Sequence, residues 1–202
     1  MDYQQLNQDR RSINFFDPEA SIRPEDIRAI FDRAKFAPSS FNFQPWKIVV
    51  ALSPESKEGL RKVAMNQPKV TEASAVLVMI GNTRQYEESE DVLRNNIERG
   101  LLTEEAIPHV VNMARNLYKG REAGYVSRNI GLFAMNFMLA AKDLGWETHP
   151  MDGFDVDGVR KYLGLDEKYL PVMFIAIGRP KPDLKLAPRG IRRSFDQVVE
   201  IR

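Results

Sequence analysis

The alternation of apolar and polar positions divides the chain into short helical and strand-like stretches. Behind Pro24, the residues Ile27, Ile30, Phe31 and Ala34 recur at helical spacing, with Glu25 and Asp26 in the first turn. They predict a helix that stops before Pro38. A second helix is predicted from Ser53-Pro54-Glu55, a hydroxyl cap followed by proline, to about Met65. Apolar runs at 48–51, 75–80 and 170–177 read as strands, and the two longer ones, unbroken by polar residues, as buried central strands. The helix signal is strongest over 125–144, where Ile130, Leu132, Phe133, Met135, Phe137, Met138 and Leu139 surround the whole circumference and Gly145 closes the end. Such a helix has to be covered on every side, which predicts that part of it meets another subunit. A weaker helical pattern spans 104–118, and a further helix is expected behind a cap at Asp155. Helices and strands alternating around two long apolar strands predict an α+β (α/β sandwich) fold. The 202 residues suit a single domain, 1–202, within which the polar stretch 82–120 stands apart.

Composition narrows the function classes. Lys+Arg 29 against Asp+Glu 28 leaves a formal charge of +1, so nothing recommends a nucleic acid or an acidic membrane as partner. There is no cysteine, which excludes disulfides, thiolate metal sites and cysteine nucleophiles and agrees with a reducing cytoplasm. The two histidines, His109 and His149, lie far apart without ligand spacing, so no metal site is expected. The start of the chain has no apolar signal segment. The longest uncharged apolar run, 129–141, is too short to span a bilayer. The protein is expected to be soluble and cytoplasmic.

Candidate chemistry concentrates at 37–46, Ala-Pro-Ser-Ser-Phe-Asn-Phe-Gln-Pro-Trp, between the first helix and the first strand. Two prolines stiffen it, and Ser39, Ser40, Asn42 and Gln44 make it dense in neutral donors and acceptors, a wall suited to a flat polar heterocycle. Near the start, Arg10, Arg11 and Ser12 offer donors of the kind that hold a phosphate. Asn66 and Lys69 stand at a helix-to-strand junction. Pro150-Met151-Asp152-Gly153-Phe154 precedes a helix, where Gly153 permits close backbone approach and φ values that other residues avoid. The tail carries Arg189, Arg192 and Arg193.

Pro-Ser-Ser-x-Asn-x-Gln-Pro-Trp resembles the signature of the nitroreductase family. The other motifs follow in the family's order over nearly the full length. The resemblance implies a mixed sheet flanked by helices, a long central helix at a homodimer interface, and FMN held between subunits with NADH or NADPH as co-substrate. It further implies that Arg10, Arg11 and Ser12 clamp the FMN phosphate together with a tail arginine, Arg193 by its spacing or its neighbour Arg192. Asn66 then bonds the pyrimidine edge, Lys69 sits near N1 and O2, and the backbone of 150–153 addresses N5. Pro38, Ser39, Ser40 and Asn42 contact the partner's flavin. Asn14 stands where the family commonly has a base, leaving Lys69 as the main cation, and a cation there favours the reduced ring. The implied chemistry is ping-pong hydride transfer from NAD(P)H to flavin N5 and on to a nitroaromatic or quinone, with the flavin rather than a side chain as catalyst and 82–120 as a substrate lid. Reductive dehalogenation, flavin fragmentation and non-enzymatic flavin binding are the alternatives. His149 is read as structural.

Overall fold

The computed structural model describes residues 2–202. Its elements, in chain order, begin with helices α1 (Tyr3–Asp9) and α2 (Pro24–Ala34), strand β1 (Trp46–Ala51), helices α3 (Pro54–Val63) and α4 (Lys69–Glu72), and strand β2 (Ala75–Asn82). Helices α5 (Glu90–Glu98), α6 (Ile107–Tyr118) and α7 (Glu122–Asp143) follow, then β3 (Glu147–Met151), α8 (Val156–Leu163), β4 (Tyr169–Gly178) and the short α9 (Phe195–Val198). The predicted elements are present, with shifted ends. Ser53 caps α3 by accepting from Ser56 N–H, and α3 ends before Met65 because Met65 and Asn66 turn to positive φ. Asp155 caps α8, and Gly145 takes the left-handed φ that stops α7. Helix α5 had no apolar pattern to announce it. Its first turn holds Glu90 and Asp91, where acids favour a helix start, and it buries Leu93 alone.

The sheet has the order β1-β2-β4-β3, and every pairing is antiparallel. Among the described residues, the one parallel contact is short, Ser12 against Thr148, where the segment after α1 runs along β3. The fold is therefore α+β as expected, while the mixed character of the sheet reduces within this chain to that contact.

Strand pleating sends alternate residues of the unbroken apolar runs to opposite faces. Ala75, Leu77, Met79, Ile175 and Ile177 pack toward α2 and α7, whereas Val76, Val78, Ile80, Phe174 and Ala176 pack toward α3, α8 and Phe16. A third cluster, Phe43, Tyr86, Leu93, Ala114, Tyr118, Tyr125 and Val126, ties 82–120 to the start of α7. Each large side chain so buried contributes roughly 1.5–3 kcal/mol. Among the described residues, no helix is long and apolar enough to cross a membrane.

The end of β2 comes so close to α7 that a Cβ on Gly81 would lie 2.4 Å from Val126 Cβ. Gly81→Ala is therefore expected to lower stability by about 1–3 kcal/mol in thermal or denaturant unfolding. Adding Val126→Gly, which removes that Cβ, should recover part of that loss relative to Val126→Gly alone. An unchanged melting temperature in the single variant would contradict this packing.

Candidate active site

Two groups of polar residues are built on opposite parts of this frame. The first lies where the segment after α1 meets β3 and the tail. Ile13 N–H donates to Thr148 O at 3.1 Å, which lays Arg10–Asn14 beside the strand. The Arg10 guanidinium is partly buried, and its Nε and Nη1 are enclosed without a hydrogen-bond partner. Burial holds its pKa below the ordinary arginine value. The charges of Arg189, Arg192 and Arg11 act in the same direction, and Glu147 opposes them. Arginine keeps its proton regardless, so the cluster is a concentrated positive charge with unused donors, the chemistry of an oxyanion cradle. Arg189 donates to the carbonyls of Gln8 and Arg10, and Arg11 Nη2 donates to Ala187 O at 2.9 Å, fastening the tail beside α1.

The same wall continues to Lys69 at the start of α4. Its ammonium donates to Asn14 Oδ1 at 2.8 Å and lies 3.2 Å from His149 Nε2. Burial lowers the pKa of Lys69. Burial and then the Lys69 charge lower that of His149. Asn66 is held at the turn before α4 by bonds in both directions with Arg61, N–H to Arg61 O at 3.1 Å and its carbonyl accepting from Arg61 Nε at 3.3 Å. Gln67 Nε2 donates to Gly153 O at 2.8 Å, so the turn before α4 and the turn after β3 are joined. Pro150 and Met151 close β3, but the Met151 side chain is buried in the core and only its backbone is available. Asp152 is exposed and accepts from Phe154 N–H. Gly153 does not use a left-handed φ, contrary to the freedom anticipated for it. Glycine is suited there because an added Cβ would come within 3.0 Å of Gln67 Nε2 and 3.4 Å of Met65 Sδ.

The second group is the loop 37–46. Phe41, Asn42 and Gln44 all have positive φ, at 56°, 56° and 49°. Such residues cost of order 1–3 kcal/mol each and persist only where their surroundings over-determine them. Here they do. Gln44 N–H donates to Ser39 Oγ at 3.0 Å, Phe41 and Phe43 stack at 5.3 Å, and Ser40 N–H donates to Asn129 Oδ1 at 2.8 Å. Asn129 lies on α7, is 1% exposed, and its amide donates to Tyr125 O at 2.7 Å. Pro38, Phe41 and Asn42 are left on the exposed side. Among the described residues, no hydrogen bond or ion pair joins this loop to the Arg10–Lys69 wall.

The structure thus brings together Arg10, Arg11, Ser12, Asn14, Asn66, Lys69 and 150–153 with Arg192, and leaves Pro38, Ser39, Ser40 and Asn42 as a separate surface. Arg193 lies further along the exposed tail, and of these two neighbours it is Arg192 whose charge acts on Arg10. Four contributors had escaped the motif reading: Arg189, Gln67, Asn129 and the contact of His149 with Lys69. Asn129 alone carried a local signal, a carboxamide at the edge of an otherwise apolar helix run.

Fold and site together define an α+β protein with a cluster of cationic side chains, Arg10, Arg11, Arg189 and Arg192, leading along the same wall to Lys69. The chain belongs to the nitroreductase family, whose model matches residues 8–179. It is 35% identical over 203 residues to the Bacillus subtilis protein named "Putative NAD(P)H nitroreductase MhqN", covering 98% of each chain. A structure from Exiguobacterium sibiricum, described as a "putative nitroreductase in complex with FMN", superposes with a TM-score of 0.87 at 27% identity, covering 100% of this chain and 98% of the other. The CLA biosynthesis enone reductase of Lactiplantibacillus plantarum is 30% identical over 177 residues, 84% of this chain and 82% of that protein.

Replacing Asn129 by leucine would leave the Ser40 amide without its acceptor inside the fold. Asn129→Leu is expected to destabilise by about 1–3 kcal/mol and to speed amide exchange at Ser40 more than at the centre of β2. Unaltered exchange at Ser40 would show that the loop is held by other contacts.

Proposed function

We propose that the chain is an FMN-dependent oxidoreductase that takes hydride from NADH or NADPH and passes it to a small nitroaromatic or quinone. The observation that carries this reading is the buried Arg10 guanidinium, with unpartnered Nε and Nη1, beside Arg11, Arg189 and Arg192. A phosphate monoester, dianionic and rich in acceptor oxygens, suits that cradle. Its distance in character from the Asn14–Lys69 end of the wall suits a ligand with a phosphate at one end and an electron-rich ring at the other.

Bound FMN would supply hydride acceptance and donation at N5, in two half-reactions that use one seat in turn. The chain's own residues hold and bias it. Arg10, Arg11, Ser12 and Arg192, with Arg189, hold the phosphate. Asn14 and Asn66 would address the pyrimidine edge, and Lys69 would place positive charge where the reduced ring is negative. The backbone at 150–153, steadied by Gln67, would serve N5. No side chain is required as nucleophile or acid.

The working unit in this reading is a homodimer in which Pro38, Ser39, Ser40 and Asn42 serve the partner's cofactor. Supporting it, one stripe of α7 remains open: Leu132, Met135 and Leu139 line a depression of about 530 Å³ with Ala37 and Phe36, the last 79% exposed. The tail likewise presents Ile191, Phe195, Val198 and Ile201 to solvent, Ile191 at 95% exposure. Apolar surface of this kind marks an interface. Residues 82–120, packed through Tyr86, Leu93 and Tyr118 next to the loop, are read as the substrate lid, and the cysteine-free composition suits the cytoplasm. The enone reductase relative favours a second acceptor class, an activated carbon–carbon double bond, reached by the same hydride donor.

The purified protein should show the visible bands of oxidised flavin and bleach on anaerobic addition of NADH or NADPH. A chain that stays colourless after incubation with FMN would overturn the proposal. Turnover with a nitroaromatic, a quinone and an enone then separates the acceptor classes. Arg10→Ala and Arg192→Ala should each release FMN on dilution more readily than Arg193→Ala, and equal retention in all three would remove the phosphate assignment. Leu132→Glu should convert a dimer into monomers in sedimentation. A wild-type monomer would exclude shared sites.

A further inference from the structure

Lys69 has three N–H vectors and no acceptor. One points to Asn14 Oδ1 at 2.8 Å, and a second meets His149 Nε2 at 3.2 Å. The second contact needs a neutral imidazole with its proton on Nδ1, because only an unprotonated Nε2 can accept. That form suits the charges around the ring, although its Nδ1 is enclosed without a hydrogen-bond partner. His149 is half-buried on β3, and Lys69 from α4 is the charged group that acts on it. Asn14 and Ile13, from the segment after α1, carry no charge, and neither does Ala176, its partner on β4. Glu147, two residues earlier on the strand, is paired with Lys142 of α7 and acts on Arg10.

We infer that His149 is a positioning residue which, as a neutral acceptor, fixes Lys69 jointly with Asn14 so that the remaining N–H is left for the cofactor's N1–O2 edge. Two acceptors from two different segments determine where the ammonium sits. The third donor then has a restricted direction, which a lone flexible lysine would lack. The imidazole also sets a pH limit. A proton on Nε2 would place two cations 3.2 Å apart and turn the acceptor into a donor. Because the imidazole pKa in the fold lies below its ordinary value, the neutral arrangement persists as pH falls past that ordinary value and is lost only as pH falls through the lowered value. The inference rests on the FMN reading of the site, and its test separates the two.

The first measurement needs no cofactor. It is an NMR titration of the His149 side chain against a free histidine peptide. His149 should titrate below the ordinary histidine value, as the Nδ1–H tautomer, and should move upward in Lys69→Met. A His149 that titrates at the ordinary value and ignores Lys69→Met overturns the inference. The second measurement is the midpoint potential of bound FMN. His149→Leu should reduce the preference for reduced over oxidised FMN about tenfold, which is about 30 mV for a two-electron couple. His149→Gln, which keeps an acceptor, should stay near wild type. In the Lys69→Met background, His149→Leu should have no further effect. A fall that is the same with and without Lys69 means that His149 acts by packing alone, and equal potentials in wild type and His149→Leu remove its role. Failure of the wild-type chain to bind FMN overturns the proposed function and with it the cofactor half of this inference, whereas FMN binding with unchanged potentials overturns the inference alone.

Discussion

A long helix that is apolar around most of its circumference imposes its own coverage on the rest of the chain. Helix α7 receives α2 and one face of the sheet along its middle, where Phe133 stacks on Trp46 at 4.8 Å and meets Phe31 at 5.9 Å. Its beginning is covered by the aromatic cluster of Tyr86, Tyr118 and Phe43, and by the close approach of Gly81 to Val126. A buried residue that departs from this apolar rule, Asn129, holds the loop 37–46 by one bond and the preceding turn of α7 by another. An apolar neighbour excludes the water that would otherwise compete for that bond, so its geometry is well determined. The loop takes its rigidity from the helix beneath it.

At the opposite side the organising force is charge. Gathering Arg10, Arg11, Arg189 and Arg192 is unfavourable twice over, through desolvation and through mutual repulsion, and both act on Arg10. A guanidinium cannot escape by losing its proton, so the tension remains in the fold until an anion offsets it. Lysine differs. Burial lowers the Lys69 pKa, and the acceptors Asn14 and His149 favour the charged ammonium. The phosphate end of the proposed site therefore works by crowding donors, and the ring end by supplying acceptors to a single donor.

How much of this could be seen in the sequence follows from the range of each interaction. Local periodicity and capping revealed α2, α3, α7, α8 and the three longer strands, because each depends on residues within a few positions of one another. Strand pairing did not follow, since the order β1-β2-β4-β3 joins segments far apart in the chain. Among site residues, Arg10, Asn14, Lys69 and the 38–42 loop were legible from short motifs. Arg189 and Gln67 were not, because their partners, the carbonyls of Gln8 and Arg10 in one case and of Gly153 in the other, are distant backbone groups that leave no mark on composition. His149 read as structural for the same reason: Lys69, which explains it, is 80 residues away.

The backbone conformations at the two groups carry a common argument. Positive φ at Phe41, Asn42 and Gln44, and again at Met65 and Asn66, is tolerated by asparagine and disfavoured for phenylalanine and methionine. In both places the unfavourable geometry lies in a short turn held by hydrogen bonds, with Asn129 of α7 and Ser39 of the loop itself in one and with Arg61 near the end of α3 in the other. A relaxed turn at 65–66 would carry α3 onward. The observed one reverses the chain so that Lys69 opens α4 facing Asn14 and β3. The loop at 41–44 leaves Asn42 exposed. Strain at these positions, of order 1 kcal/mol or more each, is thus stored in two turns that carry proposed cofactor-binding residues, Asn42 in one and Asn66 in the other.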